Sequence, residues 1–511
     1  MTVSIDLRFH HAKPVPLADV PCLEPGAFRT RVLERVREGA RIVAYFGQSD
    51  AGDRVRLHAI LAVERTSTLI AQSTLVEDDF DALTPECPQA HWFEREIAEQ
   101  WGVVPRGHPW LKPIRFHRSY RPGHDAWGRP DDEPILPSAP CDRYPFYRVE
   151  GPEIHEVAVG PVHAGVIEPG HFRFQCHGEE VFHLEISLGY QHRGIERSLL
   201  GGPDRRTLPM MEQVAGDTSV GHATAYCQAI ESLTGSEPPL RAQAIRGIAL
   251  ELERLANHTG DLGALANDVG FLPTASFCGR LRGDLLNATA LICGNRFGRG
   301  LITPGCVNFD IEPDRAQELI RRITRTIDEV AGAVNLLWNS LSVQSRFEDT
   351  GTVPRGVAED LGLVGPAARA SGVDRDVRHD FPRGIYQFAY IPLSTRSTGD
   401  VHARAFVRML EIRRAGQFLL ALLAQLPGGE IRKPTGTLPP DQLAVSFVEG
   451  WRGEVCHVAQ TDSQGRLAHY KIIDPSFHNW IGLGMSLRNQ QVSDFPLCNK
   501  SFNLSYCGHD L

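Results

Sequence analysis

The chain has 511 residues, 42% of them in the apolar set, enough to bury one large core and a smaller second one. Asp and Glu outnumber Lys and Arg, 62 to 53, for a formal net charge of -9. That balance supplies no basic field for phosphate backbones, and nucleic acid is excluded as an expected partner.

The residues up to about 117 hold β-type runs, Arg41-Ile-Val-Ala-Tyr-Phe and Val55-Arg-Leu-His-Ala-Ile-Leu-Ala-Val, separated by the turn signal Asp50-Ala-Gly-Asp. A helical stretch, His91 to Trp101, follows and is closed by Gly102. This predicts a small α+β domain over residues 1–117. Residues 118–149 are rich in Pro, Gly, Asp and Tyr and carry no apolar period, as expected of a linker or of an ordered loop lying on a partner. From 150 the pattern changes. A β-like section spans about 154–186, and then helices dominate. Ile245, Ile248, Leu252, Leu255 and Leu262 follow helical spacing, and Ile320, Ile323, Ile327, Val330, Val334 and Leu337 step by three and four. Pro313 and Asp314 sit where a helix start tolerates proline and favours acid. A further apolar stretch, Ala405 to Leu426, stops before Pro427-Gly428-Gly429. The expected fold is α+β: a small N-terminal α+β domain, then a large, mainly helical domain over 150–511 with short β appendages.

The 11 cysteines are odd in number and no two form a CxxC pair, so a zinc site or a local iron–sulfur cluster is not expected. The start, MTVSIDLRFHHAKPVPL, lacks a basic segment followed by an apolar run, and no stretch approaches the roughly 20 apolar residues of a membrane helix. A soluble chain in a reducing compartment is expected, without disulfides, reaching a membrane only through partners. No G-x-G-x-x-G lies between a strand and a helix, so NAD is not expected to bind here.

Several motifs carry a family resemblance. His91-Trp-Phe-Glu-Arg-Glu-Ile-Ala-Glu-Gln-Trp-Gly-Val, followed by Gly107-His-Pro-Trp-Leu, resembles the signature of one complex I peripheral-arm subunit. Gly160-Pro-Val-His-Ala-Gly-Val-Ile-Glu-Pro-Gly-His-Phe-Arg-Phe and Tyr190-Gln-His-Arg-Gly-Ile-Glu resemble the large subunit of formate-hydrogenlyase-type nickel–iron hydrogenases. Glu251-Leu-Glu-Arg-Leu-Ala-Asn-His, Ala370-Ser-Gly-Val-Asp-Arg-Asp-Val-Arg, Gly399-Asp-Val-His-Ala-Arg, Glu449 with Arg452-Gly-Glu, and Pro475-Ser-Phe-His-Asn continue the series in the family's order. The fusion of two modules in one chain is also typical of that hydrogenase type. The resemblance implies a hydrogenase-large-subunit-like second domain. It also implies an iron–sulfur small subunit as neighbour, antiporter-like and other membrane subunits as partners, and a place on the cytoplasmic face of the inner membrane.

The same resemblance implies a nickel–iron centre held by four cysteines, because soft metals take thiolates. At the corresponding positions stand Ala215 and Thr218, in Glu212-Gln-Val-Ala-Gly-Asp-Thr-Ser-Val-Gly-His, and Ser505 and Gly508, in Asn503-Leu-Ser-Tyr-Cys-Gly-His-Asp-Leu. Cys507 is one residue out of register, and the chain stops at this motif, as expected of one that never loads nickel. No cofactor is expected on the chain itself; the iron–sulfur cluster is expected in the adjacent subunit. In the complex-I-like relative a Tyr and a hairpin His hold a quinone. Here Gly216 stands at the Tyr position, and His163 matches the first histidine of the hairpin motif, the second having no clear match.

The residues expected to gather at this polar site are Glu212, Asp217 and His222 as proton-handling groups. His163, His171, Thr218, Asn503, Ser505, His509 and Asp510 are expected as quinone- or ligand-site residues. Glu251, Glu253 and Arg254 read as ion pairs on a helix, and His192-Arg193 as a support for a buried turn. The functional expectation is a redox-module subunit of a membrane-bound complex-I-like assembly, with electron transfer coupled to ion movement. The alternative is a non-catalytic scaffold or coupling subunit.

Overall fold

The computed structural model describes residues 6–130, 135, 145–163 and 167–511. Two stretches singled out in the sequence, most of 131–144 in the Pro-rich segment and 164–166 in the Gly160–Phe174 loop, lie outside the described residues.

The N-terminal module is an antiparallel sheet of β1 (Arg41–Ser49), β2 (Val55–Val63) and β3 (Thr68–Val76), extended beyond β3 by Leu7–Phe9 and, in parallel, by Cys22–Leu23. The Asp50–Asp53 turn joins β1 to β2, with Gly52 and Asp53 at φ 74° and 61°. Helix α1 (Pro25–Arg37) packs on β3 and helix α2 (His91–Trp101) on β1. The expected stop of α2 is present: Gly102 takes φ 66° and returns its N–H to the Ala98 carbonyl. The next part of the expected linker folds back on this module: Tyr120 donates its N–H to the Gln100 carbonyl (2.6 Å), and the Arg121 guanidinium bonds the carbonyls of Glu77 and Asp53.

The second module opens with a three-stranded antiparallel sheet, β4 (Ile154–Val159), β5 (His171–His177) and β6 (Glu180–Ser187), with β5 in the centre. Helices α3 (Ser219–Thr234), α4 (Leu240–Asp268), α5 (Leu272–Cys293), α6 (Pro313–Trp338) and α7 (Val401–Ala424) form the bundle. In it α4 packs on α5 and α7, and α6 on α5 and α7. The apolar stripes read from the sequence are the buried faces: Ile245, Ile248, Leu252 and Leu262 of α4, and Ile323, Val330, Val334 and Leu337 of α6.

A sheet that the sequence pattern did not announce follows α7. Strands β7 (Gln442–Gly450), β8 (Gly453–Thr461) and β9 (Leu467–Ile473) run antiparallel beneath α3. Every residue of β8 is buried, on both faces, so no alternation of apolar and polar residues marks it. The outer edge of β7 is covered by Val15–Pro16, from near the start of the chain. Helices α8 (Pro475–Ser486), α9 (Phe495–Phe502) and the short α10 (Tyr506–Asp510) complete the fold. Among the described residues, no helix is long and apolar enough to cross a membrane.

The two modules are joined by a buried charge cluster that starts from the motif on α2. Glu94 accepts the N–H of Leu83 (2.6 Å) and the hydroxyl of Thr84 (2.6 Å), and Glu99 accepts the N–H groups of Arg115 and Phe116 (both 2.7 Å). Glu96 points the other way. It accepts Lys471 Nζ of β9 at 2.6 Å and pairs with Arg115, whose Nε donates to the His509 carbonyl in α10 at 2.9 Å.

Candidate functional site

The site is built where the first turn of α3 meets the β7–β8 turn and the C-terminal helices. Thr218 is the residue preceding α3, and Ala215 accepts its N–H (2.9 Å) in the tight turn before the helix. Asp217, on the rim and partly exposed, is paired through both oxygens with Arg452, at 2.6 and 2.8 Å. Arg452 Nη1 also lies 3.3 Å from the Thr218 hydroxyl, and its Nε donates to the Asn503 carbonyl at 2.5 Å. One guanidinium thus ties together the segment around Asp217 and Thr218 and the segment around Asn503. Asn503, at φ 46°, ends α9 and donates from Nδ2 to Asp261 (2.5 Å), which in turn holds Arg408 (2.7 Å).

Deeper in, a chain of four buried side chains runs away from this rim. Asp474 caps α8, accepting the Ser476 N–H through Oδ1 (2.8 Å), while Oδ2 lies 3.0 Å from His222 Nε2. His222 Nδ1 is 3.1 Å from His457 Nε2, and His457 Nδ1 is 2.8 Å from the Tyr470 hydroxyl. The chain is consistent with one set of tautomers. Tyr470 donates to His457 Nδ1, His457 Nε2–H donates to His222 Nδ1, and His222 Nε2–H donates to the Asp474 carboxylate. Burial, with His222 alongside, pushes His457 well below the ordinary imidazole range, which keeps it neutral. Burial alone would raise Asp474, but the His222 contact and Arg452 bring it below the usual carboxylate value. Accepting a proton at one end and releasing one at the other reverses every bond in such a chain, which is how a relay works.

His222 and Asp217 are legible in the sequence as site residues; Arg452, Asp474, His457 and Tyr470 join them only in the fold. Asp474 carried a signal, since Asp before Pro475 marks a capped helix start. His457 and Tyr470 carried none. They meet because β8 and β9 pair with His457 opposite Ile472, which leaves Tyr470 as the diagonal neighbour on the same face.

The remaining candidates divide. Ser505 caps α10, accepting the Gly508 N–H at 2.9 Å, and its own N–H donates to Ser476 Oγ (2.8 Å). A Cβ on Gly508 would lie 2.7 Å from the Asp474 carboxyl carbon, so the acid occupies the space a side chain at 508 would need. His509 and Asp510 do not face the relay. Asp510 accepts the N–H groups of Gly189 and Gln191 (2.8 and 2.9 Å) and its carbonyl accepts His192, while His509 bonds Asp510 and stacks on Phe477. Arg193 supports the same turn through the carbonyls of Gln213, Val214 and Cys507. His163 and His171 close the base of their own loop, His163 on the Gly170 carbonyl (2.9 Å) and His171 on the Gly160 carbonyl (3.2 Å). Glu212 stands apart, accepting the Gly300 N–H at 2.6 Å.

The side chains at the four positions to which the resemblance assigns metal ligands do not suit a thiolate-held nickel–iron group. Ala215 and Gly508 have no donor atom, the hydroxyls of Thr218 and Ser505 are engaged with Asp217 and the Gly508 N–H, and burial pushes the Cys507 thiol up to about 12. Nor do the quinone-type contacts carry over: Gly216 has no hydroxyl, and His163 is spent on its loop.

Glu251 and Arg254 pair as expected (3.0 Å), but Glu253 forms no ion pair among the described residues. Its carboxyl instead accepts the N–H groups of Val220 and Gly221 (2.8 and 3.2 Å) in the first turn of α3, because those helix-end donors have no partner within the helix. Burial raises Glu253 from 4.5 to about 8, against the downward pull of the two N–H groups. The folded form then keeps a proton that the unfolded chain loses above 4.5. The stability from this group is full below that value and is lost as pH rises through about 8. Glu253→Gln is expected to flatten the fall in Tm between about pH 5 and pH 8. An unaltered Tm profile would mean that Glu253 is ionised throughout.

Two family models match the chain. That of the respiratory-chain NADH dehydrogenase 49 Kd subunit covers residues 268–443, and that of the respiratory-chain NADH dehydrogenase 30 Kd subunit covers 30–130. Formate hydrogenlyase subunit 5 of Escherichia coli (strain K12) is 28% identical over 492 residues, 92% of this chain and 84% of that protein. The carbon monoxide-induced hydrogenase of Rhodospirillum rubrum is 30% identical over 352 residues, 68% of this chain and 97% of that protein. NADH-quinone oxidoreductase subunit 4 of Thermus thermophilus is 30% identical over 394 residues, 71% of this chain and 95% of that protein.

Proposed function

The chain belongs to the family that unites the 49 Kd-type subunits of respiratory-chain NADH dehydrogenase with complex-I-like hydrogenase subunits, and on that premise we propose that it is the peripheral redox module of a membrane-bound complex of this type, working without a nickel–iron centre. In this reading it holds no cofactor of its own and binds no NAD. It sits against an iron–sulfur small subunit whose cluster lies near the Asp217–Arg452 rim, and reaches the cytoplasmic face of the membrane through antiporter-like subunits. Electron arrival at the rim is matched by proton movement along Asp474, His222, His457 and Tyr470.

The observation that carries this reading is the relay itself. Four titratable side chains in one hydrogen-bonded line, buried behind the Asp217–Arg452 rim, support the reading as a proton relay. A buried apolar contact would have served packing at lower desolvation cost. The test is turnover of the membrane complex from a reduced donor to an added acceptor. His457→Phe is expected to slow it about 100-fold, within the range of proton-transfer contributions, and to cost about 1–3 kcal/mol of stability for each buried group it leaves without a partner. Unchanged turnover in His457→Phe, Tyr470→Phe and Asp217→Ala would leave a scaffold. The no-nickel part is tested separately: elemental analysis finding about one nickel per chain would overturn it.

A further inference from the structure

Gly508 lies inside α10, and its φ is not in the left-handed region, so no turn geometry selects glycine there. Space does. A Cβ at 508 would lie 2.7 Å from both Cγ and Oδ2 of Asp474, and 2.9 Å from Ser505 Oγ. Oδ2 is the oxygen that faces His222 Nε2 at 3.0 Å. Non-bonded carbon contacts are most favourable at about 3.5–4.0 Å, so a methyl at 508 and the Asp474–His222 hydrogen bond compete for one volume. Asp474 and His222 are 1% and 0% exposed, and bulk water does not reach the place the carboxylate would leave.

Which partner would give way is settled by how each is held. Helix α10 is fastened from three sides. Arg115 Nε donates to the His509 carbonyl at 2.9 Å. Asp510 accepts the N–H groups of Gly189 and Gln191 at 2.8 and 2.9 Å, and the Leu511 carbonyl accepts those of Arg193 and Gly194 at 2.7 and 3.0 Å. The Ser505 N–H donates to Ser476 Oγ at 2.8 Å. The Asp474 carboxyl is freer. Oδ1 caps α8 on the Ser476 N–H, and Oδ2 has His222 as its hydrogen-bond partner among the described residues. Turning the carboxyl relieves the contact and takes Oδ2 off His222.

We propose that Gly508 is a positioning residue of the relay: its bare Cα leaves the room in which the Asp474 carboxylate meets His222, and α10 is the fixed wall that keeps the carboxylate there. Its effect on turnover rests on the relay reading above, whereas its effect on Asp474 follows from packing. Because Arg115 also pairs with Glu96, the N-terminal module holds one end of this wall without touching the relay.

The test is Gly508→Ala in the full chain, with three readouts. In protein carrying ¹⁵N-histidine, the ring N–H signal of His222 is expected to move toward its place in Asp474→Ala. The signal of His258, which bonds Glu411 in the helical bundle, is expected to stay. Turnover of the membrane complex is expected to fall at least about tenfold. Cys507→Ala, one residue away on α10, is expected to leave both unchanged. The third readout is a double-mutant cycle. Gly508→Ala is expected to lower Tm in the wild-type chain and to leave it equal or higher in Asp474→Ala, since alanine is the better helix former once the acid is gone. A Gly508→Ala chain that does not fold is expected to fold again when Asp474→Ala is added. An unmoved His222 signal, or the same Tm change in both backgrounds, would overturn the assignment. A moved His222 signal with unchanged turnover would keep Gly508 as the residue that places Asp474 and would overturn the relay reading instead.

Discussion

Glu96→Gln is expected to destabilise the folded chain by about 3–5 kcal/mol and to loosen the two modules from one another. Glu96, Arg115 and Lys471 are each about 1% exposed, so none of the three charges is screened by water. Burial would raise the Glu96 carboxyl, but Lys471 and Arg115 outweigh it and hold the group at about 2. The substitution keeps the shape of the side chain and removes its charge. It leaves Arg115 and Lys471 to share Glu196, which lies 2.9 Å from Lys471 and is itself less buried. Two buried cations facing one partial partner is the costly case, because desolvation has been paid and the attraction is gone. Denaturant unfolding should show the loss as a lower midpoint. Limited proteolysis should open the segment between the modules sooner. The control is the double change Glu96→Leu with Lys471→Met, which removes both ends of one pair and is expected to cost less than Glu96→Gln alone. A Glu96→Gln variant as stable as wild type would mean that the modules are held by their apolar contacts alone. The cluster also sets a pH dependence. A carboxylate depressed in the folded state gives stability that is present above its unfolded value of 4.5 and is lost as pH falls toward about 2.

Arg369→Met is the second large effect, again about 3–5 kcal/mol, and it grows with pH. Arg369 is fully buried and donates to Glu449 at 2.7 Å and Glu411 at 2.5 Å, with Asp376 at 3.5 Å. Around it, Glu411 also binds Arg254 and His258, and Glu251 binds Arg254 and Arg378. Four carboxylates thus face three guanidiniums, with one imidazole in contact. One negative charge is in excess, and Glu449 takes up the imbalance: burial and Asp376 push it up to about 7. Methionine at 369 fills a similar volume and adds no charge, leaving three acids around the vacated centre. Protonation relieves part of the repulsion, so the variant is expected to lose less stability at about pH 6 than at about pH 8. Arg369→Lys keeps the charge but not the two-pronged geometry, and an intermediate loss is expected. Equal destabilisation of Arg369→Met at both pH values would show that the network carries no proton to rearrange.

The helices of the bundle were legible because each buries one stripe against its neighbours, and a stripe repeats every three to four residues in the chain itself. The stop of α2 at Gly102 was legible for the same local reason, since a left-handed turn selects glycine. The sheet of β7, β8 and β9 was not, because strands buried on both faces lose their alternation. The site lies on that sheet. His222 and His457 are 235 residues apart, and what joins them is a 3.1 Å contact created when α3 packs on β8.

By itself, the sequence determined which atoms exist at the four positions that the hydrogenase resemblance assigns to metal ligands: a methyl, two hydroxyls and a bare Cα at Ala215, Thr218, Ser505 and Gly508. Donor chemistry belongs to residue type and needs no coordinates. It also determined that Asp217 and His222 lie within one helix start, five residues apart. Tertiary structure alone decided what those two groups do. It gave Asp217 to Arg452, set His222 between Asp474 and His457, and turned His163, His171 and His509 to structural contacts. A hydrogen bond is decided within about 3 Å, and which groups come that close depends on how distant segments pack, which no local pattern encodes.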